Sequence, residues 1–480
     1  MKERIKSFVL TALILLSIGL TSITWIDERL WPTGYSLFAN VKELPLIREF
    51  FETEYSLPLE NLSEARKIVI ADGSGASAVF YNGDRAYNAV YSDIENLMAE
   101  FLKGEVSVKT VTPLTKENLR SALNEQIMYA YVNYSVSMPP SFYGQLMGVK
   151  DSVALSEVSA VRDFFIIPTG TESLELLATG GESDKVMRYE LEYDKTESLI
   201  KLFTEHSSGV KAENTCVMAL QMNMDVVSPD DAVKMKTVLD SFLVLDSAST
   251  AGSVKEEIKS ENPIEEDIPE ELIKSFSHNP NSIYRYVDSV GTVVYLENNS
   301  TLKIYKSGVV EFEAVNPSYG IALESGSSLY EALNSAIRFT GKIYSSAVKD
   351  GDFTMSVASD ILFSDGESME FLFDYYYDGT PIAVDVELGE QVMQHGAEIS
   401  VVDGKIVKFK MLLRNYRKTG GEKDIMNIYG AIDKVAGVYA DADEPVKIED
   451  MFLAYKEDGM SLNLAPCWVG YAEGHRIVLD

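Results

Sequence analysis

Four histidines, at 206, 278, 395 and 475, are the side chains best suited to move protons or hold a metal near neutral pH. No two of them stand at metal-ligand spacing, and the chain has no HExxH, no CxxC and no P-loop. Gly73-Ser-Gly75 follows a strand-like run. Behind it, however, Ala78-Val-Phe-Tyr81 reads as a second strand, where a dinucleotide site requires a helix, so a hairpin turn is expected. No GxSxG nucleophile elbow occurs. Asp441-Ala-Asp443-Glu444 has the oxygen ligands of a cation site but reads as a solvated loop. Carboxylate pairs suited to acid–base work are abundant, but in so acidic a chain they arise by chance. The sequence therefore predicts no catalytic residue, no cofactor-binding residue and no metal site. What remains is chemistry of contact.

Two groups of residues suit contact. Ser17, Thr21 and Thr24 lie on one face of a helix, where short side chains permit close approach and hydroxyls bond across helices. Tyr375-Tyr-Tyr377 lies in a strand, where side chains alternate between faces, so one face must show tyrosine, a residue favoured at interfaces.

The element that must position the first group is a membrane span. Lys2, Arg4 and Lys6 precede an uncharged run from Ser7 to Ile26, and Asp27 and Glu28 follow it. About 20 apolar residues cross a hydrocarbon core. Positive charge before the span places the N-terminus in the cytoplasm, and Trp25 and Trp31 sit at an aromatic-belt position. A single-pass protein of the cell membrane is expected, with residues 1–6 inside, a stalk over 27–60 and the bulk outside. The rival is a cleaved signal peptide.

The net charge is −32. Such a surface repels phosphate backbones, so no nucleic-acid partner is expected. Cys216 and Cys467 are the only cysteines and read as small buried hydrophobes.

Periodicity divides the rest. Residues 61–247 read as a mixed α and β domain. Within it, Lys67–Ala71, Phe164–Pro168 and Cys216–Met222 read as strands. Ser92-Asp-Ile-Glu95 reads as a capping box opening a helix with Ile94, Leu97, Met98 and Phe101 inward, and Ser228-Pro229 as the start of another helix, with Val233, Val238, Leu239 and Phe242 inward. Residues 248–280 contain the acidic run Lys255–Glu271 and read as a linker. Residues 281–390 and 391–480 read as two related modules of order β-β-α-β-β-β, the first with Ser328-Leu-Tyr-Glu331 capping its helix. The fold class is α+β.

This layout resembles the YycH family of low-GC Gram-positive bacteria. The local likeness is Phe276-Ser-His-Asn-Pro280, Ile283-Tyr-Arg-Tyr286, Gly291-Thr-Val-Val-Tyr295 and Leu302-Lys-Ile-Tyr305, with the N-terminal Met1-Lys-Glu-Arg-Ile-Lys-Ser7 before its span. The resemblance implies an accessory protein of a two-component system. Its partners would be a sensor histidine kinase like WalK (also called YycG), held in check or modulated through transmembrane and external contacts, and a YycI-like protein. It also implies YycI-like modules and a role in cell-wall metabolism. An anchored binding or scaffold protein, and an anchored hydrolase of wall polymers, are the rivals.

Overall fold

The structure is a computed structural model. It describes residues 64–479 apart from 74–76, 83–85, 125–126, 150–153, 181–185, 209–214, 223, 225–236, 247–252, 280–281, 326–327, 349–353, 359–367, 440–441 and 443–444. The span with Ser17, Thr21 and Thr24, the stalk, Ser228-Pro229, and the acids Asp441, Asp443 and Glu444 lie outside the described residues. Among the described residues no helix is long and apolar enough to cross a membrane.

The run Ile68-Val-Ile70 is buried on both faces of its strand, because its sheet is covered on both sides. β1 (Lys67–Asp72) and β2 (Ser77–Tyr81) form the hairpin expected at Gly73. There follow α1 (Tyr87–Leu102), β3 (Ser107–Leu114), α2 (Lys116–Asn124), β4 (Met128–Met138), α3 (Pro140–Leu146), β5 (Val161–Pro168), β6 (Ser173–Thr179), β7 (Val186–Glu192) and α4 (Thr196–Ser208). The seven strands lie in the order β2-β1-β4-β5-β6-β7-β3. Ile68 and Ile70 share one core with Phe101 of α1 and Phe203 of α4. Val69, Tyr131 and Phe165 share the opposite core with Leu119 and Leu123 of α2.

α1 buries Ile94, Leu97, Met98 and Phe101 as predicted. Its start differs. The helix begins at Tyr87 with Ala86 as a cap that makes no side-chain bond, so Ser92 and Glu95 are exposed mid-helix residues. A serine three places before a glutamate is also an ordinary exposed helix surface, and the buried Tyr87, Val90 and Tyr91 extend the apolar stripe upstream.

β8 (Cys216–Met218) pairs with β10 (Val244–Asp246), and Met222 sits in a turn. Val238 and Leu239, expected in a helix, lie instead in the strand β9 (Thr237–Leu239). Phe242 lies in the turn after it. β9 joins a second sheet, and that distant pairing overrides local helical spacing.

The acidic run 255–271 is not a linker. β11 (Ser253–Glu261) pairs over its length with the strand Asn415–Ile425, and α5 (Glu270–Ser275) follows. Tyr455 Oη donates to the Glu256 carbonyl at 2.9 Å, and Ile258 and Ser260 are buried.

Most of the rest forms the larger sheet. β12 (Tyr284–Val287), β13 (Val293–Glu297), β14 (Ser300–Ile304) and β15 (Val309–Ala314) meander antiparallel. After β16 (Ile321–Ala322) come α6 (Leu329–Ala347), β17 (Thr354–Val357), β18 (Ser368–Tyr377), β19 (Thr380–Val384), β20 (Val386–Leu388) and β21 (Gln391–Met393). The last part holds β22 (Ala397–Val402), β23 (Lys405–Leu412), β24 (Asn415–Ile425), α7 (Ile428–Val438), β25 (Val446–Glu457), β26 (Asn463–Leu464), β27 (Pro466–Ala472) and β28 (His475–Leu479). More strands precede each helix than the two the sequence suggested: β12–β16 before α6, and β21–β24 between residue 391 and α7. The turns Asp378-Gly379, Asp403-Gly404 and Glu473-Gly474 have positive φ at both residues, as two-residue hairpins require.

The two stretches interleave. The strand order is β12-β13-β14-β15-β23-β22-β18-β19-β25-β27-β28, so the hairpin β22–β23 fills the gap between β15 and β18. β19 then runs parallel to β25. Residue 390 lies in the turn of the hairpin β20–β21, so the expected module boundary falls inside a pair of bonded strands.

The cap of α6 is the one predicted: Ser328 Oγ accepts from Glu331 N at 3.2 Å. Ser328→Ala is expected to cost about 1 kcal/mol, read as a lower midpoint of denaturant unfolding.

Candidate functional site

The residues with chemical potential are placed apart. His206 packs edge-on against Phe80 at 5.9 Å, His278 lies 4.0 Å from Glu297, His395 Nδ1 lies 2.9 Å from Asp374, and His475 opens β28. Among the described residues no three His, Cys, Asp or Glu side chains gather as metal ligands. Burial first, then Asp246, pushes the Cys216 thiol up to about 12, so the thiolate a nucleophile needs is not formed at neutral pH. Cys467 is buried. Around the knuckle Phe276–Asn279, Glu297 accepts from His278 N (2.9 Å) and from Asn279 N. The cavity beneath, lined by Phe276, Ser277, Tyr295 and Phe312 among others, has room for about one water molecule.

Charge inside the fold goes to struts. Glu457 is 0% exposed and Arg414 3%, with Arg414 Nε 3.6 Å from Glu457 Oε2. Ser260 Oγ of β11 donates to Glu457, and Gly459 N donates to its other oxygen at 2.8 Å. Arg414 Nη2 donates to the Gly459 carbonyl. Burial pushes the Glu457 carboxyl up, against Arg414 and these donors. A second strut joins the two sheets. Arg66, beside β1, donates to Asp450 of β25 at 2.8 Å and lies 5.0 Å over the Phe452 ring. Burial acts to raise the Asp450 carboxyl, but Arg66 and then Lys67 hold it well below the usual range. On the first sheet Asp163 accepts from Tyr131 Oη (2.8 Å) and Asn133 Nδ2 (2.6 Å). These carboxylates hold strands together.

The tyrosine triplet alternates as a strand must, but inward. Tyr375 and Tyr377 are core residues, and Tyr375 Oη donates to the Leu412 carbonyl at 2.8 Å. Tyr376 is half-buried on the other face. Burial, with Arg66 opposing, moves its hydroxyl up to about 12. Tyr375 and Tyr377 are therefore not a contact surface. The physical reason is that alternation identifies two faces without showing which one meets water: Tyr375 and Tyr377 fall on the buried face of β18 and Tyr376 on the half-buried one.

Surface open to partners lies elsewhere. β12 ends the large sheet with all four residues exposed, and Tyr284, Tyr286, Val287 and Leu296 present apolar area there. Arg285 lies 5.9 Å from the Tyr295 ring. Tyr and Arg are the side chains that most often carry binding energy. The exposure of Tyr284 and Tyr286 follows from β12 being last in the sheet, which no local pattern shows.

No family model and no curated protein matches the chain. Among solved structures, the crystal structure of YycH from Bacillus subtilis superposes with a TM-score of 0.52 at 12% identity, covering 88% of this chain and 97% of that one. The chain has the YycH fold. Coverage that wide takes in both sheets, so the YycH likeness is not that of one module. At this identity the YycH comparison carries geometry and no residue role.

Proposed function

We propose that this chain is a membrane-anchored regulator that biases a WalK-like sensor histidine kinase by contact rather than by chemistry. The observation that carries the reading is the YycH fold over 88% of the chain. The basic residues, apolar run and following acids at 2–28 support an anchor at Ser7–Ile26 with the bulk outside the cell. One helix flanked on both sides by strands in each of 281–390 and 391–480 supports a pair of related, YycI-like modules with a YycI-like protein as second partner. Charge buried in struts supports a non-enzymatic role, and cell-wall metabolism is the process such a kinase governs. A kinase shifts only if the regulator binds its two states unequally, and contacts worth about 1–3 kcal/mol give a 5- to 150-fold bias.

Crosslinking in intact membranes, followed by identification of the captured protein, tests this: a histidine kinase is expected, and its consistent absence removes the reading. Leucine at Ser17, Thr21 and Thr24 is expected to weaken kinase co-purification several-fold. Unchanged recovery takes the span out of the mechanism.

The second reading, a binding or scaffold protein, rests on the exposed end strand β12, which could accept an added strand. Its four residues make a short edge, which favours the first reading.

A further inference from the structure

The two large apolar side chains at 460 and 462 are held out into water on a braced turn. Met460 is 78% exposed and Leu462 62%, so neither contributes much to the core. Both stand on the turn between β25 and β26. Asp458 accepts from Met460 N at 2.8 Å, from Ser461 N at 2.6 Å and from Ser461 Oγ at 2.7 Å. Gly459 is gripped at both ends, its N–H by Glu457 and its carbonyl by Arg414. Its φ of +76° and a Cβ position only 2.9 Å from Val386 leave room for glycine alone. Beyond the apex, the Leu462 carbonyl accepts from Ser260 N at 2.8 Å. A buried ion pair thus fixes the base of a turn whose apex is apolar and wet.

We propose that this turn, Asp458–Leu462, is a contact tip: Met460 and Leu462 enter an apolar pocket, rimmed with basic side chains, on the external part of the protein this chain regulates. The proposal rests on the reading above that the chain acts by protein contact. Pre-organisation removes the ordering cost of the loop at the moment of binding, and methionine adapts to an irregular pocket. Charge selects the occupant. Asp458 sits in the turn, and the whole chain carries a net charge of −32. An anionic lipid surface is repelled by such a chain, and so is a second copy of it. A basic rim is attracted and speeds encounter.

The test uses the full chain in its membrane, with a photoreactive amino acid in place of Met460 and the kinase co-expressed. An adduct with the kinase is expected. Met460→Asp with Leu462→Asp is expected to reduce the kinase recovered at least tenfold with the unfolding midpoint unchanged, since both side chains are exposed. The exchange Met460→Leu with Leu462→Met is expected to keep it. Adducts with lipid or with a second copy overturn the proposal. Equal recovery by the wild-type chain and the aspartate variant removes the tip and leaves the regulatory reading standing. A wild-type chain that recovers no kinase removes both.

Discussion

Replacing Glu457 with alanine is expected to cost the protein about 3–5 kcal/mol, the loss typical when one member of a buried ion pair is deleted. Arg414, 3% exposed, keeps its charge with no carboxylate beside it. Ser260 Oγ and Gly459 N lose their acceptor at the same time. The measurement is the urea midpoint of the wild-type and variant chains. Glutamine separates the two losses. Burial raises the Glu457 carboxyl despite Arg414, so its charge is held against the preference of the site. Glutamine keeps the shape and an acceptor, and is expected to lose about 1–2 kcal/mol. The pH sign follows. A carboxyl whose folded value is raised contributes stability below its unfolded value, about 4.3, and that contribution is lost as pH rises through the folded value. Acidification into that window therefore favours the wild-type chain over the glutamine variant.

Asp450→Asn is expected to behave oppositely. Here Arg66 and Lys67 overcome desolvation and hold the carboxyl below the usual range, so ionisation is favoured in the folded state. Both partners are about a fifth exposed, with side-chain exposures of 24% and 18%. The loss at neutral pH is accordingly set between surface and buried pairs, at about 1–3 kcal/mol. A depressed folded value gives stability that is complete above the unfolded value near 3.9 and lost as pH falls through the folded value. The gap between wild type and Asp450→Asn should be constant from neutral pH to about 5 and close only in stronger acid. A gap that closes between pH 7 and 5 would show that Asp450 is not held by these cations.

Some of this architecture could be read directly. Ser328 caps its helix because the pattern of serine, glutamate and apolar spacing is local and agrees with the packing. Strand β18 and the glycine turns are likewise local features. Strand β11 could not be read so. Its inward positions include one isoleucine and one serine, and the partner that satisfies Ser260 is Glu457, almost two hundred residues away. A sequence window sees only like charges there and infers repulsion. In the same way Tyr375 and Tyr377 look like a surface until Leu412 and Tyr416, from the other module, pack against them. Contact surfaces depend on which strand ends a sheet and which turn is braced from below.

The threading of β22–β23 between β15 and β18 constrains how the protein is born. A ribosome delivers residues from the N-terminal side first, so the earlier half must wait with its central ladder unfilled until roughly a hundred more amino acids arrive. During that interval two raw strand flanks face whatever proteases and chaperones surround the nascent chain. Truncation just before residue 397 should yield not a smaller stable protein but a chain quickly degraded.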